Sequence, residues 1–240
     1  MKMNIKNIDI NYKQYGNESG KDIVLLHGWG QNIQMMEPLG NNLNDFHITI
    51  LDLPGFGESN EPTKPLTIHE YKDILKEFLT NLNISNPIIM GHSFGGRIAI
   101  IYAGEEKVEK LVLFGSPCVR KERKSAKEKI LKGLKKLPGM NALGEYMKKY
   151  IGSEDYKKAS PIMRDTLVNT VNEDLSEYAK KITCPTLLIW GTNDTAAPLE
   201  DARELEKLLS DGALIELEGL THYAYLEALP QVINILNNFL

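Results

Sequence analysis

The stretch Pro87-Ile88-Ile89-Met90-Gly91-His92-Ser93-Phe94-Gly95-Gly96-Arg97-Ile98-Ala99-Ile100-Ile101-Tyr102-Ala103 decides the architecture. A short apolar run suited to a buried strand meets a longer one suited to a helix, and the junction reads G-x-S-x-G. A serine at such a corner needs residues without Cβ two positions away on each side. Otherwise strand and helix cannot approach closely enough to force the turn. Gly91 and Gly95 meet that need. Ser93 is expected clear of the sheet, at a helix N-terminus whose free N–H groups favour negative charge. That makes it a candidate nucleophile.

Working outward, apolar runs with turn punctuation predict strands near 3–8, 10–15, 22–27, 47–52, 87–91, 109–114, 185–190 and 213–217. Helical patterns fill about 33–43, 67–82, 94–104, 199–210 and 225–239. The first two strands run on with only Asp9 between them, which suggests an antiparallel hairpin. Beyond it, strands alternate with helices, the signature of a doubly wound, mostly parallel sheet. Thr67 before Glu70 reads as a capping box.

A serine nucleophile needs a base and an acid that orients the base. Cys184-Pro185-Thr186-Leu187-Leu188-Ile189-Trp190-Gly191 is a buried strand followed by Thr192-Asn193-Asp194, and Ala213–Leu217 leads into Glu218-Gly219-Leu220-Thr221-His222. Asp194 and His222 therefore fall just past the C-terminal ends of strands, the edge where open α/β sheets bind ligands. His222 is the candidate base and Asp194 its partner. His27, His47, His69 and His92 read as loop, cap or spacer residues, and Asp201 lies inside the next helix. Strand 22–27 runs into His27-Gly28-Trp29-Gly30. The backbone N–H of Trp29 and that of Phe94 are the candidate oxyanion donors. The Trp29 indole is expected to wall an acyl pocket.

These motifs, in this order, resemble those of the α/β-hydrolases over nearly the whole chain: HGWG at 27–30, Asp52-Leu53-Pro54-Gly55-Phe56-Gly57-Glu58-Ser59, GHSFG at 91–95, and the Asp194 and His222 loops. The second motif is similar to the family's D-x-P-G-x-G-x-S loop and reads as a tight turn rather than as chemistry. HGWG with GHS resembles small carboxylesterases, including the carrier-protein methyl ester esterase of biotin synthesis, as well as C–C bond hydrolases. The resemblance implies eight strands, helices on both faces, and a helical cap between strands six and seven. It implies cleavage of a carboxylic ester through an acyl-enzyme. C–C bond hydrolysis or lyase chemistry is the alternative within this fold, and a ligand-binding sensor with negligible turnover the alternative outside enzymes.

Size and charge agree. At 240 residues and 42% hydrophobic content, one domain with a full core suffices. The net charge of −4 argues against nucleic acid as a partner. Cys118 and Cys184 form no disulfide framework and read as free thiols of a reducing compartment, so a cytoplasmic location is expected. Neither a signal-like apolar segment nor an 18-residue apolar run occurs, so no membrane span is expected. No phosphate loop or metal-ligand spacing is present, so no cofactor is expected.

Residues 118–182 break the alternation. This charged, helix-patterned stretch is assigned to the cap, with residues 1–117 and 183–240 as the core. Within it, residues 120–136 hold nine Lys and Arg against Glu122 and Glu128, a net +7 that leaves the rest of the chain near −11. Ala126, Ile130, Leu134 and Leu137 recur at helical spacing, so the lysines fit a solvated helix face. The same segment also suits an acidic carrier protein bearing the acyl group, the macromolecular partner considered beside a small ester substrate.

Overall fold

A computed structural model describes residues 1–119 and 159–240. Its eight strands are β1 (Lys2–Ile5), β2 (Ile8–Gly16), β3 (Asp22–Leu26), β4 (His47–Leu51), β5 (Ile88–His92), β6 (Lys110–Phe114), β7 (Thr186–Gly191) and β8 (Gly212–Leu217). They form one sheet in the order β1-β2-β4-β3-β5-β6-β7-β8. The β1–β2 and β2–β4 pairs are antiparallel, and every later pair is parallel. The helices around it are α1 (Ile33–Gly40), α2 (Ile68–Asn81), α3 (Phe94–Glu105), α4 (Pro161–Val171), α5 (Ser176–Ala179), α6 (Leu199–Leu208), α7 (Ala224–Glu227) and α8 (Leu229–Phe239). The described part of the stretch between β6 and β7 is helical, as α4 and α5. The basic segment 120–136 and most of the expected cap lie outside the described residues.

The central strands are apolar along most of their length, with polar residues at their ends, because both faces of a parallel sheet are covered. The period-2 alternation sorts them into two cores. Val24, Leu26, Ile89, Leu111, Leu113 and Leu188 pack on one face, beneath α2 and α3. Ile23, Leu25, Ile88, Met90, Val112, Phe114, Leu187 and Ile189 pack on the other, with α1 and α8.

Two local expectations are corrected. The β1–β2 hairpin turns at Lys6 and Asn7, with φ of 50° and 65°, and not at Asp9. Two consecutive left-handed residues match the right-handed twist of a two-residue hairpin. Asp9 is inside β2, paired with Asn4, whose side-chain amide donates to its carboxylate at 2.7 Å. The helix expected over 225–239 is broken at Ala228 into α7 and α8. Pro230 cannot donate within a helix and sits in the opening turn of α8, so the chain restarts there. The capping box is formed, with the Glu70 N–H donating to Thr67 and the Glu70 carboxylate accepting from the Thr67 N–H.

The loop from Asp52 to Ser59 is held by the buried Asp52 carboxylate. Its Oδ1 accepts from the Ile33 N–H at 2.7 Å, capping the start of α1. Its Oδ2 accepts from the Asn11 amide at 2.7 Å and the Glu58 N–H at 2.8 Å. A Cβ on Gly57, where φ is 56°, would lie 2.2 Å from that carboxyl carbon. Both oxygens are engaged in tying β2, α1 and the turn together. Replacing Asp52 by Ala strands these donors, and bonds to a charged acceptor are worth roughly 1.5–3 kcal/mol each. Asp52→Ala is expected to lower unfolding free energy by about 3 kcal/mol or more, read from urea denaturation. A loss below about 1 kcal/mol would remove Asp52 from this structural role.

Candidate active site

The corner after β5 is built from close backbone contacts. A Cβ on Gly91 would sit 2.6 Å from the Gly96 Cα, and one on Gly95 would sit 2.4 Å from the Leu26 carbonyl oxygen. A Cβ on Gly96 would overlap the Ser116 hydroxyl at 1.8 Å. Only glycine lets α3 lie this close to β3, β5 and the chain after β6. The turn between them forces Ser93 to φ 50° and ψ −109°, a conformation costly for a residue with a side chain. Its N–H donates to the Phe114 carbonyl at 2.9 Å, and its side chain does not cap α3. Ser93 is only half-buried, while His92 and Phe94 on either side are buried.

The sheet brings Asp194 and His222 into direct contact. The His222 Nδ1 lies 2.7 Å from Asp194 Oδ2. The Asp194 side chain is fully buried and the imidazole 17% exposed. Asp194 Oδ1 accepts from the N–H groups of Ala196 and Ala197, both at 2.8 Å. The Trp190 indole fastens that backbone by donating to the Ala197 carbonyl at 2.7 Å. The loops bearing the two residues are latched to each other. Asn193 donates its N–H to the Leu220 carbonyl at 2.9 Å, and the Gly219 N–H donates to the Thr192 hydroxyl at 2.8 Å. Gly191 makes this approach possible, since a Cβ there would lie 2.3 Å from the Leu220 oxygen.

With Nδ1 facing a carboxylate, the His222 proton belongs on Nδ1 and Nε2 is left as the basic nitrogen. Among the described residues no hydrogen bond joins the Ser93 hydroxyl to His222. Ser93 is linked to it through its neighbour His92, whose ring centroid lies 4.7 Å from that of His222. Catalytic hydrogen bonds commonly tighten only when substrate is bound.

The Gly28–Gln31 turn stands beside the corner. Gln31 donates its N–H to the Gly28 carbonyl at 3.3 Å, and Gly30 takes φ 71°. This turn uses the N–H of its last residue and leaves that of Trp29 outside its ring. The Phe94 N–H is one of the helix-start donors that α3 itself cannot satisfy. The Trp29 indole is packed edge-on against Phe56 and Phe94, with centroids 4.8 and 5.2 Å away. Phe94 in turn meets Tyr71 at 5.0 Å, and the Tyr71 hydroxyl donates to the Pro54 carbonyl.

Sequence reasoning missed several supporting residues. Gly115, φ 51°, makes room for the Asp194–His222 pair: a Cβ there would lie 3.0 Å from His222 Nδ1 and 3.1 Å from Asp194 Oδ2. Arg97, a lone cation in an apolar helix, donates to the Pro117, Thr170 and Glu173 carbonyls. It thereby ties α3 to both sides of the stretch between β6 and β7. A charge inside an otherwise apolar run was the available signal for it.

A family model described as alpha/beta hydrolase fold matches residues 22–141. The chain belongs to the alpha/beta hydrolase fold family. An AB hydrolase superfamily protein of Bacillus subtilis, YisY, is 27% identical, covering 92% of this chain and 91% of that protein. Lipase 1 of Psychrobacter immobilis is 26% identical, covering 92% of this chain and 77% of the lipase. The solved structure of an esterase from Exiguobacterium antarcticum superposes with a TM-score of 0.75 at 22% identity, covering 98% of this chain and 97% of that one. Among the described residues no helix is long and apolar enough to cross a membrane.

Two fully buried histidines surround the site. Burial lowers the His27 pKa to about 4. Its Nε2 accepts from the Leu53 N–H at 2.9 Å, so Nδ1 carries the proton and donates to the Gly28 carbonyl. Burial, followed by repulsion from His222, lowers the His92 pKa to about 3. Both rings titrate near 6.5 when unfolded. The stability gained by keeping them neutral is complete above about pH 6.5 and is lost as pH falls toward their folded values. Unfolding should take up close to two protons near pH 5, beyond what carboxylates contribute. The urea midpoint is expected to fall from about pH 7 to about pH 5, with a shallower fall in His27→Gln. A flat wild-type profile across that range would contradict the buried neutral rings.

Proposed function

We propose that the protein is a serine hydrolase that cleaves carboxylic esters through an acyl-enzyme. The Asp194–His222 pair beside the strained Ser93 corner carries this reading. Ser93 Oγ attacks the ester carbonyl carbon while His222 Nε2 takes its proton. Asp194, charged and locked by two backbone donors, keeps the Nδ1 tautomer and stabilises the imidazolium. The Trp29 and Phe94 N–H groups receive the developing oxyanion. The imidazolium then protonates the departing alcohol, and water, activated by the same nitrogen, releases the acid. The lipase and esterase among the similar proteins support this choice of bond. The aromatic set Trp29, Phe56 and Phe94 beside the corner supports an uncharged acyl group.

Ser93→Ala should lower p-nitrophenyl butyrate turnover by about 10⁴-fold or more without altering the thermal midpoint. A fluorophosphonate probe should label the wild type at Ser93 alone; labelling elsewhere, or an active alanine variant, rejects the assignment. Asp194→Asn should lower kcat by up to about 10⁴-fold, because the amide favours the wrong imidazole tautomer. A loss under about tenfold would mean that another group orients His222.

A further inference from the structure

We infer that His92, the residue before the proposed nucleophile, is a positioning residue that holds His222 by its main-chain carbonyl, with the other side of the same ring packed under Gly28 of the Gly28–Gln31 turn. The inference rests on the serine-hydrolase reading above. His92 ends β5 and is wholly buried. Its Nε2 lies 3.0 Å from the carbonyl oxygen of His222. Its Nδ1 lies 3.2 Å from Gln31 Oε1, the atom that accepts the Gly28 N–H at 2.9 Å. The ring also contacts Tyr223 and Tyr225, at centroid distances of 5.4 and 4.9 Å. A Cβ on Gly28 would come within 2.8 Å of Nδ1, so the turn rests directly on the imidazole.

An apolar side chain would fill this space without the desolvation that an imidazole suffers. The polar atoms are therefore the feature to explain. A neutral imidazole carries one N–H, and two oxygens face the ring. The His222 carbonyl is the nearer, at 3.0 Å against 3.2 Å, and with Nε2 donating to it Nδ1 is a bare acceptor that meets Gln31 Oε1 by packing and not by a hydrogen bond. The proton belongs on Nε2, donated to His222. The nucleophile's own strand thus grips the base's backbone, while Asp194 grips the other end of the same residue through Nδ1. Two anchors at separate points fix both the place and the rotation of the His222 ring.

The test compares His92→Phe, His92→Gln and His92→Asn with wild type on p-nitrophenyl butyrate. It also follows the low-field proton signal of the His222 Nδ1–H by NMR, which needs no turnover. Phenylalanine keeps the ring and loses the donor. It should lower kcat at least about tenfold with KM within about twofold, and broaden the low-field signal. Glutamine carries an N–H to the reach of Nε2 and should recover most of the rate and the signal; asparagine is too short and should not. A folded phenylalanine variant with wild-type kcat and an unchanged signal overturns the proposal. Should that variant fail to fold, the amide pair decides, and equal rates in both overturn it. Failure of the hydrolase reading is separately visible, as absence of fluorophosphonate labelling in the wild type.

Discussion

Between Gly91 of β5 and Gly96 of α3 the backbones pass with no side chain separating them, at a distance that would put a Cβ on the first 2.6 Å from the Cα of the second. That contact forces the Ser93 dihedrals and sets where α3 begins, and hence where the Phe94 N–H points. Holding a non-glycine residue there costs roughly 1–3 kcal/mol. Ile98, Ile100 and Ile101 of α3 are each fully buried, and each contributes about 1.5–3 kcal/mol by leaving water. Three such side chains outweigh the strain, so the helix holds the corner down. The strained serine is possible because the rest of α3 is a core helix and not a surface one.

The same chemistry of oxygen and nitrogen valences sorts the buried carboxylates and imidazoles around this corner into two kinds. Asp52 and Asp194 are both buried carboxylates in loops that follow strands. Asp52 uses both oxygens on β2, α1 and its own turn. Asp194 uses one oxygen on its own loop and keeps the other for His222. His27 and His222 divide in the same way. The His27 ring has both nitrogens committed to backbone groups and stays neutral, while His222 commits one and leaves its ring partly open. A residue type alone does not separate these pairs; the atom left over does.

Much of this arrangement was legible in the sequence because it depends on local patterns. Parallel strands covered on both faces read as apolar runs, and these, together with the antiparallel β1 and β2, appear near their expected places. The glycines around Ser93, and the positions of Asp194 and His222 just beyond β7 and β8, follow from the same runs. What failed were features decided by competition between neighbours. Lys6 and Asn7 lack the glycine that usually marks a two-residue hairpin, so their turn was invisible and Asp9 took its place. The break at Ala228 depended on Pro230 prevailing over an otherwise continuous helical stripe. Gly115 reads in the sequence only as a glycine past a strand end. Its use, as space for the Asp194–His222 pair, needs the third strand end in view.

His92 was the hardest to read, since a spacer in a motif carries no signal of its own. Its meaning comes from chain segments about 61 and 130 residues away that reach opposite sides of one ring. Acyl transfer needs nucleophile, base and oxyanion donors held within about 0.5 Å of one another's working positions. In the proposed function they come from the ends of β3, β5 and β8, with the acid from β7, four separate loops. Latches between the acid and base loops couple only two of the four. The imidazole of His92 reaches the remaining ones: it is covalently next to Ser93, beneath Gly28, and against the His222 carbonyl. A displacement of the segment after β3, β5 or β8 therefore presses on a ring in contact with the other two.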